Sequence, residues 1–217
     1  MVSTTLYSYF RSSASWRVRI ALAWKSIPAR IIPIDLRREG GEQHSAAYRA
    51  INPQELVPCL VEDSNVITQS VAICEYLEER FPMPPLLPAG VLARARVRSL
   101  VQTIACDIHP LDNLRVLQFL KQPLGHTQDQ IENWYRHWIE VGFGPLETEL
   151  TRIGSDGYCF EGAMSMADVF LVPQVANARR YRVDMGRFPK ISAIDAHLSA
   201  LPAFMESAPS RQADYSE

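Results

Sequence analysis

Residues Val57–Phe81, VPCLVEDSNVITQSVAICEYLEERF, hold two β-type runs and one helical pattern side by side. Val57–Glu62 and Asn65–Thr68 read as two strands, joined through the turn residues Asp63 and Ser64. Ser70–Phe81 then reads as a helix with Val71, Ile73, Cys74 and Leu77 turned inward. Upstream, Thr4–Tyr9 is a strand and Ser15–Lys25 a helix that buries Val18, Ala21, Leu22 and the stem of Lys25. Arg30–Ile34 is a second strand, and Pro33, which has no N–H to donate, puts it at a sheet edge. The order βαβ, an irregular or helical stretch, then ββα predicts an α/β unit.

Downstream the texture changes. Pro82, Pro84, Pro85 and Pro88 crowd one short stretch, which excludes helix and central strand and predicts a stiff linker. Beyond it, Ala93–Leu120, Thr127–Ile153, Ser165–Arg180 and Ile191–Ala200 all show helical periodicity. The fold expected is α/β plus all-α: a first domain over 1–82, a proline-rich linker over 83–90 and an all-helical domain over 91–217.

Composition narrows the function. The chain has 217 residues, 47% hydrophobic and 21% charged, with a formal net charge of −2. That balance suits a folded globular protein and argues against a nucleic-acid partner, which requires a concentrated excess of Lys and Arg. No apolar run approaches the ~18 residues that cross a bilayer, and Met1–Phe10 lacks the pattern of a signal peptide. Cys59, Cys74, Cys106 and Cys159 fall at unrelated spacings, which predicts reduced thiols in a cytoplasmic protein and no metal site.

Three features at strand ends could carry chemistry. Val57-Pro58 opens a strand; a cis bond there would turn the Val57 backbone outward for an extended peptide to pair with, although an ordinary trans proline is the commoner case. Gln69-Ser70 sits at a strand-to-helix junction, where Ser70 is a natural N-cap and the first-turn N–H groups could receive a carboxylate. Arg11, Ser12, Ser13, Ser15 and Arg17 gather three hydroxyls and two guanidiniums where the first helix begins. Such a site suits an anion and would lower a thiol below its free value of ~8.5. The two helix starts also have a purely structural reading as caps. In the second half, Ser165 and Asp168 form a capping box, His109, Asn113 and Arg115 flank a proline kink, and Arg179-Arg180 end a helix.

Taken together, YFRSSASWRVRIAL (9–22), NPQELVPCL (52–60), TQSVAICEYLEE (68–79), DIHPLDNLRVLQ (107–118) and PQVANARRYRVD (173–184) resemble the zeta class of glutathione transferases, the family of maleylacetoacetate and maleylpyruvate isomerases. The resemblance implies a thioredoxin-like N-terminal domain and a helical C-terminal one, glutathione as cofactor, a small acidic cis-enone substrate and a homodimer. It assigns Ser12 to the glutathione sulfur, with Ser13 and Ser15 beside it. It assigns Val57 and Pro58 to the cysteinyl backbone, Gln69 and Ser70 to the γ-glutamyl carboxylate, and Gln43, His109, Asn113 and Arg115 to the glutathione cleft. Arg11 and Arg180 would hold substrate carboxylates. The activity implied is cis–trans isomerisation of maleylacetoacetate in tyrosine and phenylalanine breakdown; maleylpyruvate isomerisation, general glutathione transfer or dehalogenation, and a non-catalytic binding protein are the alternatives. Where eukaryotic members usually carry Cys, this chain has Ala14, so the protein offers no nucleophile of its own there.

Overall fold

The computed structural model describes residues 4–216; Met1–Ser3, the start of the stretch read for a signal peptide, lie outside them. The chain divides into two compact units, Met1–Leu86 with Ala200–Glu217, and Leu87–Ser199.

The first unit is built on a four-stranded sheet: β1 (Thr4–Ser8), β2 (Arg30–Pro33), β3 (Cys59–Glu62) and β4 (Asn65–Thr68), in the order β2-β1-β3-β4. β1 runs parallel to β2, from Thr5 opposite Arg30 to Ser8 opposite Pro33. A parallel pair needs a crossover, and α1 (Ser13–Trp24) supplies it. β1 is antiparallel to β3, which pairs with β4 in a tight hairpin, Glu62 opposite Asn65. Pro33 lies on an edge strand, as its missing donor requires. Leu6, Val18, Leu60, Ile73 and Leu77 are fully buried between the sheet and the helices α1 and α3 (Ser70–Arg80). A second cluster, Ile34, Tyr48 and Cys59, forms around α2 (Ala46–Ile51), the stretch left open as irregular or helical.

Boundaries shift for local reasons. β3 begins at Cys59 and not Val57, because Pro58 cannot donate to the ladder. α1 begins at Ser13 and not Ser15, because the cap is Ser12. The C-terminal stretch expected within a helical domain over 91–217 divides: residues 200–217 belong to the first unit, where a short helix (Pro202–Ser207) packs on α1.

The second unit is helical: α4 (Val91–Gln102), α5 (Leu114–Lys121), α6 (Gln128–Ile153), α7 (Met166–Arg180) and α8 (Pro189–Ser199), with Pro202–Ser207 of the first unit numbered α9. The single helix expected over Ala93–Leu120 is broken. After α4 the chain makes a wide π-type stretch over Thr103–Ile108 and leaves the helix at His109. Pro110 offers no N–H and clashes with a preceding carbonyl, so the helix cannot continue. α5 starts afresh where Asn113 accepts from the Arg115 N–H at 3.2 Å. α6 opens on a full capping box, Thr127 with Gln130, and α7 on the expected one, Ser165 with Asp168. Asp168 is fully buried and also accepts from Cys159 N–H at 2.7 Å, so that carboxylate ties the preceding loop to the helix start.

All four cysteines are unpaired thiols, Cys106 exposed and the others buried. Among the described residues no helix is long and apolar enough to cross a membrane.

Candidate active site

Ser12 sits at the β1-to-α1 junction with extended backbone, and its Oγ accepts from the Ser15 N–H at 3.1 Å. A hydroxyl has one proton to give and two lone pairs. With an acceptor position committed to the cap, its O–H remains available as a donor. Ser12 is half-buried, whereas Ser13 and Ser15 are buried. Ser15 therefore contributes its backbone N–H; its own Oγ is enclosed with no hydrogen-bond partner among the described residues. No acidic residue occupies the first turn of α1, so nothing there opposes an anion at its positive end.

At α3 the structure corrects one expectation. The cap position is Gln69, held at φ 70°, and Ser70 is the first helical residue. The left-handed backbone at Gln69 ends the strand, and the helix starts at Ser70 as the sequence suggested, with the cap one residue earlier. Ser70 Oγ instead accepts from Arg17 Nη1 at 3.3 Å, which links the α1 and α3 starts. The N–H groups of Ser70, Val71 and Ala72 precede the first intrahelical bond, Ile73 to Gln69, and have no acidic side chain in the turn. Gln69 is exposed, and its Nε2 donates to Gln54 Oε1 at 2.9 Å.

The Val57–Pro58 bond is cis, and Val57 lies before the β3 ladder. Leu56 just before it is pinned through its carbonyl, which accepts from Tyr48 Oη at 2.6 Å and Asn52 Nδ2 at 2.8 Å. Gln43 is buried, with Nε2 3.0 Å from His44 Nε2; His44 Nδ1 pairs with Glu55, which also pairs with Arg49. Gln43 Oε1 has no partner among the described residues. Gly41, at φ 110°, lies against this amide, and a Cβ there would overlap it, so only glycine fits.

Sequence reasoning missed Arg19 here, and Arg17, expected to offer its guanidinium to an anion beside Ser12, is enclosed instead. Arg17 and Arg19 are 1% and 4% exposed. Their signal was present: two arginines flanking Val18 in an apolar helix cannot both reach water, and a buried guanidinium must be surrounded by acceptors.

The remaining expected residues lie in the second unit. His109 is half-buried at the end of the π-type stretch, Asn113 is a half-buried cap, and Arg115 is exposed on α5. Arg179 and Arg180 end α7. Arg179 pairs with buried Asp195 at 2.6 Å, whereas Arg180 is exposed over the Tyr181 ring with no carboxylate partner among the described residues. The two arginines have thus been separated, one into a structural pair and one available.

Beside these residues lies Asp112, 6% exposed, both carboxylate oxygens without a hydrogen-bond partner among the described residues. Burial pushes its pKa up to about 8. A carboxyl raised on folding binds its proton more tightly in the native state. Stability is therefore fully present near pH 4 and is lost as pH rises toward 8, by about 1.4 kcal/mol per pH unit across that window. Asp112→Asn removes the ionisation while keeping the shape. The variant should melt well above the parent at pH 9 and close to it near pH 4; parallel curves of Tm against pH would sink this reading.

A family model described as glutathione S-transferase, N-terminal domain, matches residues 11–80. The chain is 47% identical to a probable maleylacetoacetate isomerase of Vibrio cholerae, over 99% of each protein. It superimposes on a solved bacterial maleylpyruvate isomerase of the zeta class, in its holo form, with a TM-score of 0.95 at 41% identity, covering 98% of this chain and 100% of that one. A maleylacetoacetate isomerase from Methylobacterium extorquens, solved with malonate and glutathione bound, gives a TM-score of 0.93 at 37% identity, with 98% and 100% covered. A thioredoxin-like sheet with a hydroxyl at the first helix start, joined to a helical unit, is the glutathione transferase arrangement. The chain belongs to that family, in its zeta class.

Proposed function

We propose that the chain is a glutathione-dependent cis–trans isomerase, with maleylacetoacetate as substrate and fumarylacetoacetate as product, acting in tyrosine and phenylalanine breakdown as a cytoplasmic homodimer. The observation that carries it is the Ser12 hydroxyl, half-exposed and accepting from Ser15 N–H, which leaves its proton available to donate to a thiolate. The residues present fit glutathione in their donor and acceptor sets: the unfilled Gln43 Oε1 suits an amide N–H, and the α3 first turn suits a carboxylate.

When bound, glutathione supplies the sulfur nucleophile that makes the conjugated double bond transiently single, so that it can rotate. Ser12 stabilises the thiolate. Gln69, Ser70 and the α3 N–H groups hold the γ-glutamyl end, Val57 before Pro58 pairs with the cysteinyl backbone, and Gln43 accepts from the tripeptide. His109, Asn113 and Arg115 are assigned glutathione contacts from the helical unit. Arg11 and Arg180 hold substrate carboxylates, with permanently charged planar groups suited to them. No general base is required, and Ala14 offers no competing thiol.

The maleylpyruvate reading rests on the TM-score of 0.95 to a maleylpyruvate isomerase. Purified protein with glutathione, assayed on both substrates, decides by the ratio of kcat/KM; no turnover of either would overturn the proposal. Sedimentation at micromolar concentration tests the dimer. Arg180→Ala should raise KM for the substrate and lower kcat/KM roughly ten- to hundredfold, the worth of one charge-assisted hydrogen bond. Glutathione affinity should stay within twofold, and Arg180→Lys should recover part of the loss. Normal turnover with a slightly lower Tm would reduce Arg180 to a helix-end cation.

A further inference from the structure

The three consecutive main-chain groups that lead into the Ser12 turn are all held from behind. Phe10 N–H donates to Asp214 Oδ2 at 3.0 Å, a bond spanning almost the whole chain. The Tyr9 carbonyl accepts from Arg19 Nη1 at 3.3 Å and from Ser12 N–H at 3.0 Å. The Phe10 carbonyl accepts from Arg19 Nη2 at 3.0 Å. Arg19 is in turn anchored to the C-terminal segment, where its Nε donates to the Ser207 carbonyl at 3.0 Å, and to β1 through Ser8 Oγ at 2.9 Å. Trp16 Nε1 donates to Ser207 Oγ at 3.1 Å, and Tyr215 meets the Phe10 ring edge to face at 5.5 Å.

Four of the five donors of the buried Arg19 guanidinium point at carbonyls or a hydroxyl, an arrangement that fixes direction as well as distance. Burial lowers the Arg19 pKa to about 10, and the nearby Asp214 carboxylate works against that by favouring the charged form. Packing of α9 on α1 would be satisfied by apolar contact alone. What it does not need is a carboxylate from the last turn of the chain on the one N–H of the Tyr9–Phe10 pair that Arg19 cannot serve.

We infer that the C-terminal segment is a positioning element for Ser12: Asp214 and, through Ser207, Arg19 clamp the Tyr9–Phe10 backbone and so set where the Ser12 hydroxyl points. The inference rests on the role given to Ser12 above. Removing the Asp214 acceptor frees Phe10 N–H, lets the turn relax toward water and moves the hydroxyl off the sulfur. Misplacements on this scale cost up to ~10²-fold in rate where a reacting group must be aligned.

The test compares Asp214→Ala with Asp214→Asn, both of which lose the charge while only the second keeps an oxygen to accept from Phe10 N–H. Ultraviolet absorbance of bound glutathione thiolate is titrated against pH, beside kcat and glutathione Kd, at a temperature where circular dichroism shows each variant folded. Asp214→Ala should lower kcat roughly tenfold and move the thiolate titration to higher pH, with Kd within twofold, and Asp214→Asn should restore both. An Asp214→Ala protein with a lower Tm but the parent's titration and kcat would make the segment merely structural. Equal losses in both variants would make the effect one of charge and overturn the positioning role. A parent protein that binds no glutathione would instead sink the functional reading, so the two failures are distinct.

Discussion

Ser12→Ala should cut turnover on the order of a hundredfold while glutathione still binds. The donor acts on charge that is greatest on the ionised sulfur, and deleting one preorganised donor to a developing anion typically costs 10²–10³ in kcat. In the proposed site, binding of the tripeptide is spread over Val57, Gln69, Ser70 and Gln43, which the substitution leaves alone. A second, smaller effect accompanies it, since Ser12 also caps α1, and Ala at a cap costs about 1 kcal/mol. The two are separable. Ser12→Thr keeps both cap and hydroxyl and should be active, whereas Ser12→Gly loses the hydroxyl but only a few tenths of a kcal/mol of cap. Glycine and alanine variants equally slow but unequally stable would assign the rate to the hydroxyl. Pre-steady-state kinetics with a glutathione titration and thermal melts supply both readouts. Unchanged turnover would pass the role elsewhere in the turn, although Ser13 and Ser15 are both buried.

What the sequence made legible follows from how local each signal is. Strand alternation, Pro33 at an edge and the capping box at Ser165 are decided by neighbours a few residues away, and the structure reproduces them. The break at Thr103–Ile108 is different: periodicity continues through it on both sides, and only Pro110 marks it. Ser70 was read as a cap because serine is a good one. The choice of Gln69 depended on a positive φ and on Arg17 needing an acceptor, and both are set by tertiary packing. The return of residues 200–217 to the first unit had no local signal, since α9 is too short for a strong periodicity and its partner is α1. Arg19 was overlooked for the same reason: its acceptors on Ser8, Tyr9, Phe10 and Ser207 assemble only in the folded chain. The candidate site residues were proposed one by one from local motifs, whereas the network behind them has no local signal.

That network includes a large expected stability effect, at the opposite end of α1. The sequence suggested burial of the Lys25 stem; the structure buries the whole side chain, at 0% exposure. Its Nζ donates to Glu78 Oε2 at 2.7 Å, to the Phe81 carbonyl at 2.7 Å and to the Pro84 carbonyl at 2.8 Å, so all three ammonium protons are used. Glu78 Oε2 also accepts from Leu86 N–H at 2.9 Å. One buried pair thereby ties the end of α1, the end of α3 and the proline-rich stretch together, while Arg17 and Ser70 tie the two helix starts. Glu78→Ala leaves an ammonium in the interior with only carbonyl dipoles to face, and breaking a buried pair this way costs about 3–5 kcal/mol. Against a total of ~5–15 kcal/mol for a typical domain, that is a large fraction. Urea unfolding should show the midpoint falling steeply at nearly constant m. Lys25→Met combined with Glu78→Leu should recover much of the loss, because desolvation of both charges is then avoided. Recovery would identify the uncompensated charge as the cause. A double variant as unstable as Glu78→Ala would instead place the stabilisation in the carbonyl contacts to Phe81 and Pro84, with the carboxylate incidental.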